Sequence, residues 1–551
     1  MDPLLNSTVV SPKTEIVSSL VTGARDLGFF YASTAIALTA VLLGGFEFGR
    51  KILSRILWFF DGLLGGAPHT VSLPGPPGLP IVGNLLELSN GHVPRIAEWT
   101  KKYGDVIRVS LGGREAVFIN SHKALSKTIV KQGPAYQSRP TFKLFHQDFA
   151  SSGIWTVGTS PFSDRLVRTR KALASQIAPR LLPIYTPVIH PKLKKLIGDI
   201  LTLSQGNAVD MAEKLHRFGT GQVSEQLMGT PLDDDIVGML AENETNIFRQ
   251  RTVGSPARDY IPILSGATWL RYLAGKTLGI KSWSYDEKEE KAREYRRTQQ
   301  VYINKMLGEL KQRIEDGDQT PSILGNILRQ GLLKEEEVLL ASYTGIAAGV
   351  NLGYSLTWII GYLANRPDLQ ENGYEAIRET YNGEPPKPHE YDRVEYVKAL
   401  HTLVIMNLMA ANRDPISFDN PNEFIPERWL NGRKGRTDSF TEGGDKLGVT
   451  HLTYGCGRRV CPGIDMANRG LYSTLVLLLH FFTWERQPLG EEEKKLVFPP
   501  FRAERECSLQ MDAIADTATP TEAQAIPWSA GIKFHCRDPE GLRAWIASVE
   551  T

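Results

Sequence analysis

Apolar residues fall into distinct rhythms along the chain, and each rhythm predicts a different element. From Leu27 to Phe46 twenty residues pass without a charge, about the length a helix needs to cross a hydrocarbon core. Arg50, Lys51 and Arg55 follow this run against Glu47 and Asp61, whereas Lys13 and Arg25 precede it against Asp2, Glu15 and Asp26. That bias predicts a single transmembrane anchor at 27–46, with 1–26 lumenal and the long C-terminal part cytosolic. A cleaved signal peptide fits less well, because the run starts late and lacks a small-residue cleavage site. Ile52–Gly66 is also apolar but is interrupted by Arg55 and Asp61, which suits an interfacial position better than a second span. The juxtamembrane segment, 47–84, ends in LPGPPGLPIVGN (Leu73–Asn84). Its prolines fix φ and remove donors, so it reads as a stiff spacer before a body running from 85 to 551.

Within that body, Val106–Leu111 and Ala116–Ser121 alternate apolar and polar positions across GGRE, the pattern of a hairpin. From about Ser160 to Leu363 the period becomes helical. The longest apolar helix runs from about Lys334 to Leu363, starting with Glu335, Glu336 and Glu337. Acids favour a helix N-terminus, and an apolar surface nearly all round predicts a buried central helix rather than a second span. After Ala410 the chain turns loop-rich, a further helix runs from Met466 to about Trp484, and Ile532–Cys536 reads as a closing strand. The fold class is therefore mainly α with small β-sheets.

Composition changes this picture little. Of 551 residues, 42% are hydrophobic and 23% charged, ordinary globular usage that excludes disordered, collagenous and coiled-coil chains. Lys plus Arg number 63 and Asp plus Glu 61, so no global charge calls for nucleic acid. The four cysteines, Cys456, Cys461, Cys507 and Cys536, all lie in the last fifth of the chain. They are too few and too clustered for a disulfide scaffold, and the bulk of the chain reads as facing a reducing compartment. Asn6-Ser7-Thr8 is a glycosylation sequon that the predicted orientation places in the lumen.

Candidate chemistry concentrates in HLTYGCGRRVCPGIDMANRGLY (His451–Tyr472). Hydrogen bonds to sulfur and a following helix N-terminus both favour a thiolate at Cys461. Glycines let backbone N–H groups approach a flat ligand, and Arg459 is placed to pair with an anionic group on it. A structural zinc site on Cys456 and Cys461 is the competing reading, but no paired Cys or His spacing supplies two further ligands.

The spacing resembles the haem-binding loop of cytochromes P450, F-x-x-G-x-R-x-C-x-G, standing here as Tyr454, Gly457, Arg459, Cys461 and Gly463. Only Tyr454, for Phe, departs from it. The resemblance implies haem b ligated at iron by Cys461, with Arg459 on a propionate. It implies insertion of one oxygen atom from O2 into a small organic substrate, and electrons from a separate, membrane-bound NADPH–cytochrome P450 reductase. The architecture implied is one large P450 domain behind the anchor, on the cytosolic face of the endoplasmic reticulum. LPGPPGLPIVGN, NRDP (Asn412–Pro415), FIPERW (Phe424–Trp429) and GTSPFSDRLVRTRK (Gly158–Lys171) resemble other family segments. One of Arg165, Arg168 or Arg170 is a further propionate candidate, and spacing does not choose among them. ANRGLY and SPFSDR are similar to fungal phenylacetate-hydroxylase-type members, a pointer to a small aromatic substrate or secondary metabolism.

Two departures stand out. The family's A-G-x-[DE]-T reads Ala348-Gly349-Val350-Asn351-Leu352. The resemblance puts Ala348, Gly349 and Asn351 on the distal side of the haem, but Asn is no acid near neutral pH and Leu cannot hold water. Thr344 and Ser355 are the nearby hydroxyls. Secondly, the family's E-x-x-R helix and following hairpin are missing between Tyr396–Leu400 and Leu403–Asn407. The deletion falls near 401–402 and leaves Arg428 without its usual partners. Glu294–Arg297, Glu375–Arg378 and Glu390–Arg393 repeat the string on the wrong side of this point and read as chance. A gene-model gap, a splice variant and a degenerate copy all account for the loss. The alternatives to monooxygenation are a haem-thiolate protein that rearranges, dehydrates or uses peroxide, and an inactive P450-like protein.

Overall fold

The computed structural model describes most of residues 73–142, 155–249, 287–401, 412–430, 452–495 and 526–548, with isolated positions between them. The expected anchor, the lumenal segment and most of the juxtamembrane run lie outside these residues, as does 402–411, where the deletion is expected. The described body belongs to one compact unit beginning at Pro74. Its longer helices are α1 (His92–Tyr103), α2 (Asp164–Gln176), α3 (Thr186–Ser204), α4 (Ala212–Met228), α5 (Asp234–Arg249), α6 (Glu287–Glu315), α7 (Ile323–Arg329), α8 (Glu335–Leu363), α9 (Pro367–Tyr381), α10 (Glu395–His401), α11 (Ile464–Phe481) and α12 (Pro539–Ala547). Two small antiparallel sheets accompany them. β1 (Val106–Leu111) pairs with β2 (Arg114–Ile119), as expected of the alternating segments, and β5 (Gly531–Cys536) lies between β3 (Val209–Asp210) and β4 (Phe482–Arg486).

α8 is the axis of the helical part. It is long and apolar enough to cross a membrane, but most of its apolar stretch is buried inside the fold, as expected of a core helix. Its first turn is capped: the Lys334 backbone N–H donates to the Glu337 carboxylate at 2.9 Å, and Arg168 of α2 grips the same carboxylate at 2.6 Å. α8 packs most extensively along α4. The two can approach because glycines meet at the crossing. A Cβ on Gly349 would stand 2.8 Å from the Gly219 carbonyl oxygen, and one on Gly353 would stand 2.6 Å from the Cα of His216. α11, buried along nearly its whole length from Asn468 to Phe481, joins them in the main core with α3, α9 and the three-stranded sheet.

Two boundaries differ from the sequence expectation. Leu73–Asn84 is no free spacer. Arg108 N–H donates to the Pro74 carbonyl at 2.9 Å, Asn84 N–H to the Ser110 carbonyl at 2.6 Å, and the wholly buried Asn84 side chain accepts from Ser110 N–H at 3.0 Å. The proline-rich segment thus satisfies β1, and the body begins near 74 rather than 85. α11 also stops at Phe481, three residues short of Trp484, because Phe482–Arg486 is recruited as β4 by β5. A sheet partner some fifty residues away decides this boundary, so no local pattern marks it.

Arg428 needs correction as well. It is not left as a buried, unpaired charge, because it is half-buried and donates to the carbonyls of Asp419 at 2.7 Å, Asn420 at 3.2 Å and Glu423 at 3.0 Å. Glu375–Arg378 and Glu390–Arg393 are surface ion pairs, as the charged segments suggested.

Two outcomes test this packing. Gly349→Ala should destabilise the fold by about 1–3 kcal/mol through overpacking against α4, read as a fall in the urea midpoint. His216, buried against Tyr354, has its pKa lowered from 6.5 to about 3 by desolvation. The unfolded chain therefore takes up the proton first, and stability falls as pH drops from about 6.5 toward 3. Between pH 7 and pH 5 this group should remove about 2 kcal/mol, and urea titrations of His216→Phe should lack that share of the pH slope.

Candidate functional site

A cavity of about 630 Å³ lies between α8 and the segment before α11. Thr344, Ala348, Asn351, Leu352 and Ser355 form the α8 wall, successive turns of one helix face. Ala348 and Asn351 are the exposed positions in this otherwise buried stretch, and what they are exposed to is the cavity. Opposite stand Tyr454, Gly455, Cys456, Arg458, Arg459, Cys461, Pro462 and Gly463. The remaining lining is largely apolar, including Leu125, Ile129, Leu173, Ile177, Val223, Leu227 and Leu471.

Glycine builds the cysteine loop. Gly455 and Gly457 take φ of 78° and 65°, the left-handed region that side chains resist. A Cβ on Gly457 would also meet the Ile129 carbonyl oxygen at 2.7 Å. The loop is closed by Cys461 N–H donating to the Tyr454 carbonyl at 2.9 Å, and the Tyr454 hydroxyl is pinned on Asn468 at 2.6 Å. Burial, reinforced by the nearby Cys461, pushes the Tyr454 phenol well above its usual range. Gly463 is the N-cap of α11, so Cys461 sits just ahead of that helix's positive end. Burial raises the Cys461 thiol, while the Gly463 N–H and the Arg170 guanidinium work in the opposite direction. Cys456 is likewise raised by burial, with Arg139 opposing.

Three arginines gather here. Arg459 donates to the carbonyls of Gln137 at 2.6 Å, Val157 at 2.8 Å and Ser160 at 3.1 Å. Burial, then the charges of Arg139 and Arg170, lower its pKa to about 10. Arg170 donates to the Val460 carbonyl and is also lowered, chiefly by burial, as is Arg139. None of the three pairs with a carboxylate among the described residues. Clustered, half-buried cations without a counter-ion are costly, and they mark a place for an anion.

The structure sorts the sequence candidates. Cys461, Tyr454, Arg459, Gly463, Ala348 and Asn351 line one cavity. Gly457 shapes the loop instead of facing the cavity, and Gly349 is turned away onto Gly219. Of the α2 arginines, Arg165 bonds the Glu336 carbonyl and Arg168 the Glu337 carboxylate, so only Arg170 reaches the cysteine loop. Thr344 accepts from Val157 N–H and donates to the Leu340 carbonyl, and Ser355 donates to the Asn351 carbonyl. Arg139 escaped the sequence reading, since no motif surrounds it and only the fold brings it beside Cys456. No group of three His, Cys, Asp or Glu side chains gathers to hold a metal ion among the described residues.

Comparison with known proteins agrees with this geometry. The family model described as cytochrome P450 matches residues 73–400 and 400–503, and the chain belongs to that family. The two blocks meet at residue 400, next to 401–402, where the deletion is expected. Phenylacetate 2-hydroxylase of Emericella nidulans is 28% identical over 528 residues, 88% of this chain and 94% of that protein. A cytochrome P450 monooxygenase of Mycosarcoma maydis is 28% identical over 460 residues, 75% and 81% of the two chains. 3-Hydroxyphenylacetate 6-hydroxylase of Emericella nidulans is 26% identical over 502 residues, 84% and 88% of the two chains.

The chain is thus a fungal-type cytochrome P450 monooxygenase, and the family implies a haem iron ligated by a cysteine thiolate. The residues present fit that group. Cys461 offers a soft sulfur donor, the apolar walls suit a flat macrocycle, and the arginine cluster suits its two carboxylates. Arg170→Leu should therefore speed haem loss to apomyoglobin several-fold, whereas Arg168→Leu, on the far side of α2, should leave haem loss unchanged and lower the urea midpoint instead.

Proposed function

We propose that this P450 hydroxylates a small aromatic acid of the phenylacetate class. Electrons come from NADPH through a separate, membrane-bound cytochrome P450 reductase. The observation that carries the reading is that Cys461, at the head of α11, and Ala348 with Asn351, on α8, open onto the same mostly apolar cavity. Cys461 would hold the haem iron, with Arg139, Arg170 and Arg459 available to its carboxylates, and the bound group would supply dioxygen activation. The protein's own groups do the rest. Leu173, Ile177, Val223 and Leu227 exclude water and pack an aromatic ring. Asn351 anchors its amide nitrogen on the Ala347 carbonyl at 2.9 Å, which fixes the side chain on the cavity wall. Two relatives that hydroxylate phenylacetates, each spanning most of this chain, support the substrate class.

The uncharged run Leu27–Phe46 and the positive flank behind it support anchoring in the endoplasmic reticulum membrane with the haem domain cytosolic. Asn6 is then a lumenal glycosylation site. A second reading draws on Asn351 and Leu352, which lack the family's acid and alcohol. It retains the haem-thiolate site but runs on peroxide or rearranges its substrate.

The full chain, reduced and exposed to carbon monoxide, should show a thiolate-type Soret band, and Cys461→Ser should abolish it. With reductase and NADPH, phenylacetate should yield a hydroxylated product. Product formed with peroxide but never with NADPH would favour the second reading. No band in the unaltered chain would sink both.

A further inference from the structure

Beside the main cavity lies a second, smaller chamber of about 30 Å³, room for about two water molecules. Gln222 and Gln226 of α4, His190 of α3, His389, Arg469 and Ser473 supply its polar lining. Gln222 and Met466 line both spaces, so they form the partition between them. The Gln222 amide nitrogen stands 2.9 Å from the point a Cβ on Gly470 would occupy, and Leu352 approaches the same point to 3.1 Å. The amide therefore sits next to the residue that replaces the family's alcohol.

The two glutamines are each 2% exposed. The Oε1 of each finds no hydrogen-bond partner among the described residues, and neither does Nε of Arg469. Buried amide oxygens are very rarely left unbonded, and water is the partner that fits a polar space of this size. At the outer end His389 is exposed, and its ring centroid lies 5.5 Å from that of His190. The chamber thus has exposed His389 in its lining at one end and Gln222, on the wall of the main cavity, in its lining at the other.

We infer that this chamber holds a water relay that brings protons from solvent at His389 to the main cavity beside Leu352, with Gln222 and Gln226 as positioning residues. The inference rests on the monooxygenase reading. Inserting one oxygen atom of O2 and releasing the other as water consumes two electrons and two protons. NADPH supplies the electrons through the reductase, and bulk water supplies the protons. Neither Asn351 nor Leu352 can act as a proton donor near pH 7. Each glutamine accepts from a water through Oε1 and donates through Nε2, so it orients the waters along which protons hop while its own amide stays unchanged.

Gln222→Leu closes the partition with a side chain of similar size. In haem-loaded protein with an unchanged carbon monoxide band and unchanged substrate affinity, turnover should fall about tenfold and the solvent deuterium isotope effect should rise. Gln222→Glu, which keeps a water-binding oxygen, should restore most of the rate. Gln226→Leu, which touches only the chamber, should act in the same direction and serves if Gln222→Leu does not fold. Unchanged turnover and isotope effect in both leucine variants would overturn the relay. A high-resolution crystal structure gives a readout independent of activity: waters bonded to both Oε1 atoms support the proposal, and a dry chamber refutes it. The wild-type carbon monoxide band judges the monooxygenase reading separately, since the chamber waters can be observed whether or not that band is present.

Discussion

An anionic sulfur inside a protein needs compensation from several directions at once, because burial alone holds a thiol protonated. At Cys461 the burial is present, and so are its opponents: the Gly463 N–H, the head of α11 and the Arg170 guanidinium. The loop that holds them in place depends on two left-handed glycines and on a backbone bond from Cys461 to Tyr454. Around it, three arginines stand without carboxylate partners among the described residues. Such a site is incomplete by itself. It is electrostatically suited to a ligand that brings a metal cation for the sulfur and carboxylates for the guanidiniums.

The opposite wall depends on close packing of helices. α8 can serve as a smooth wall only because Gly349 and Gly353 let it lie against α4 at backbone distance. The small pair Ala348-Gly349 therefore divides its roles, with Ala348 facing the cavity and Gly349 facing the neighbouring helix. The same crossing brings Gln222, on α4, beside Leu352. An amide on one helix thus stands beside the position on the other where the family's alcohol is replaced by leucine.

The deletion expected after α10 would take away the usual partners of Arg428, and the structure satisfies that side chain in another way. Arg428 finds three backbone carbonyls within its own turn-rich segment. A guanidinium has five donors in a fixed fork, so carbonyls converging at a turn can satisfy it without a carboxylate. The segment from Pro426 to Trp429 keeps its helical turn on that basis.

Much of this was legible beforehand. The apolar all-round pattern of Glu335–Leu363 identified a buried helix, and alternation identified the first hairpin, because both periods are set by local backbone geometry. The spacing from Tyr454 to Gly463 singled out Cys461, which the structure places on the cavity wall, since a glycine-shaped loop ahead of a helix is a local device. What stayed hidden depends on neighbours distant in sequence. The end of α11 was decided by β5, the choice of Arg170 over Arg165 and Arg168 by which carboxylates stand across from α2, and the inclusion of Arg139 by a chain path that no spacing encodes. The sequence by itself determined which residues form the cysteine loop and the central buried helix. Only the tertiary structure decided which charges are left without partners and which polar groups adjoin the cavity, because charge pairing and burial are properties of pairs of segments and not of either one alone.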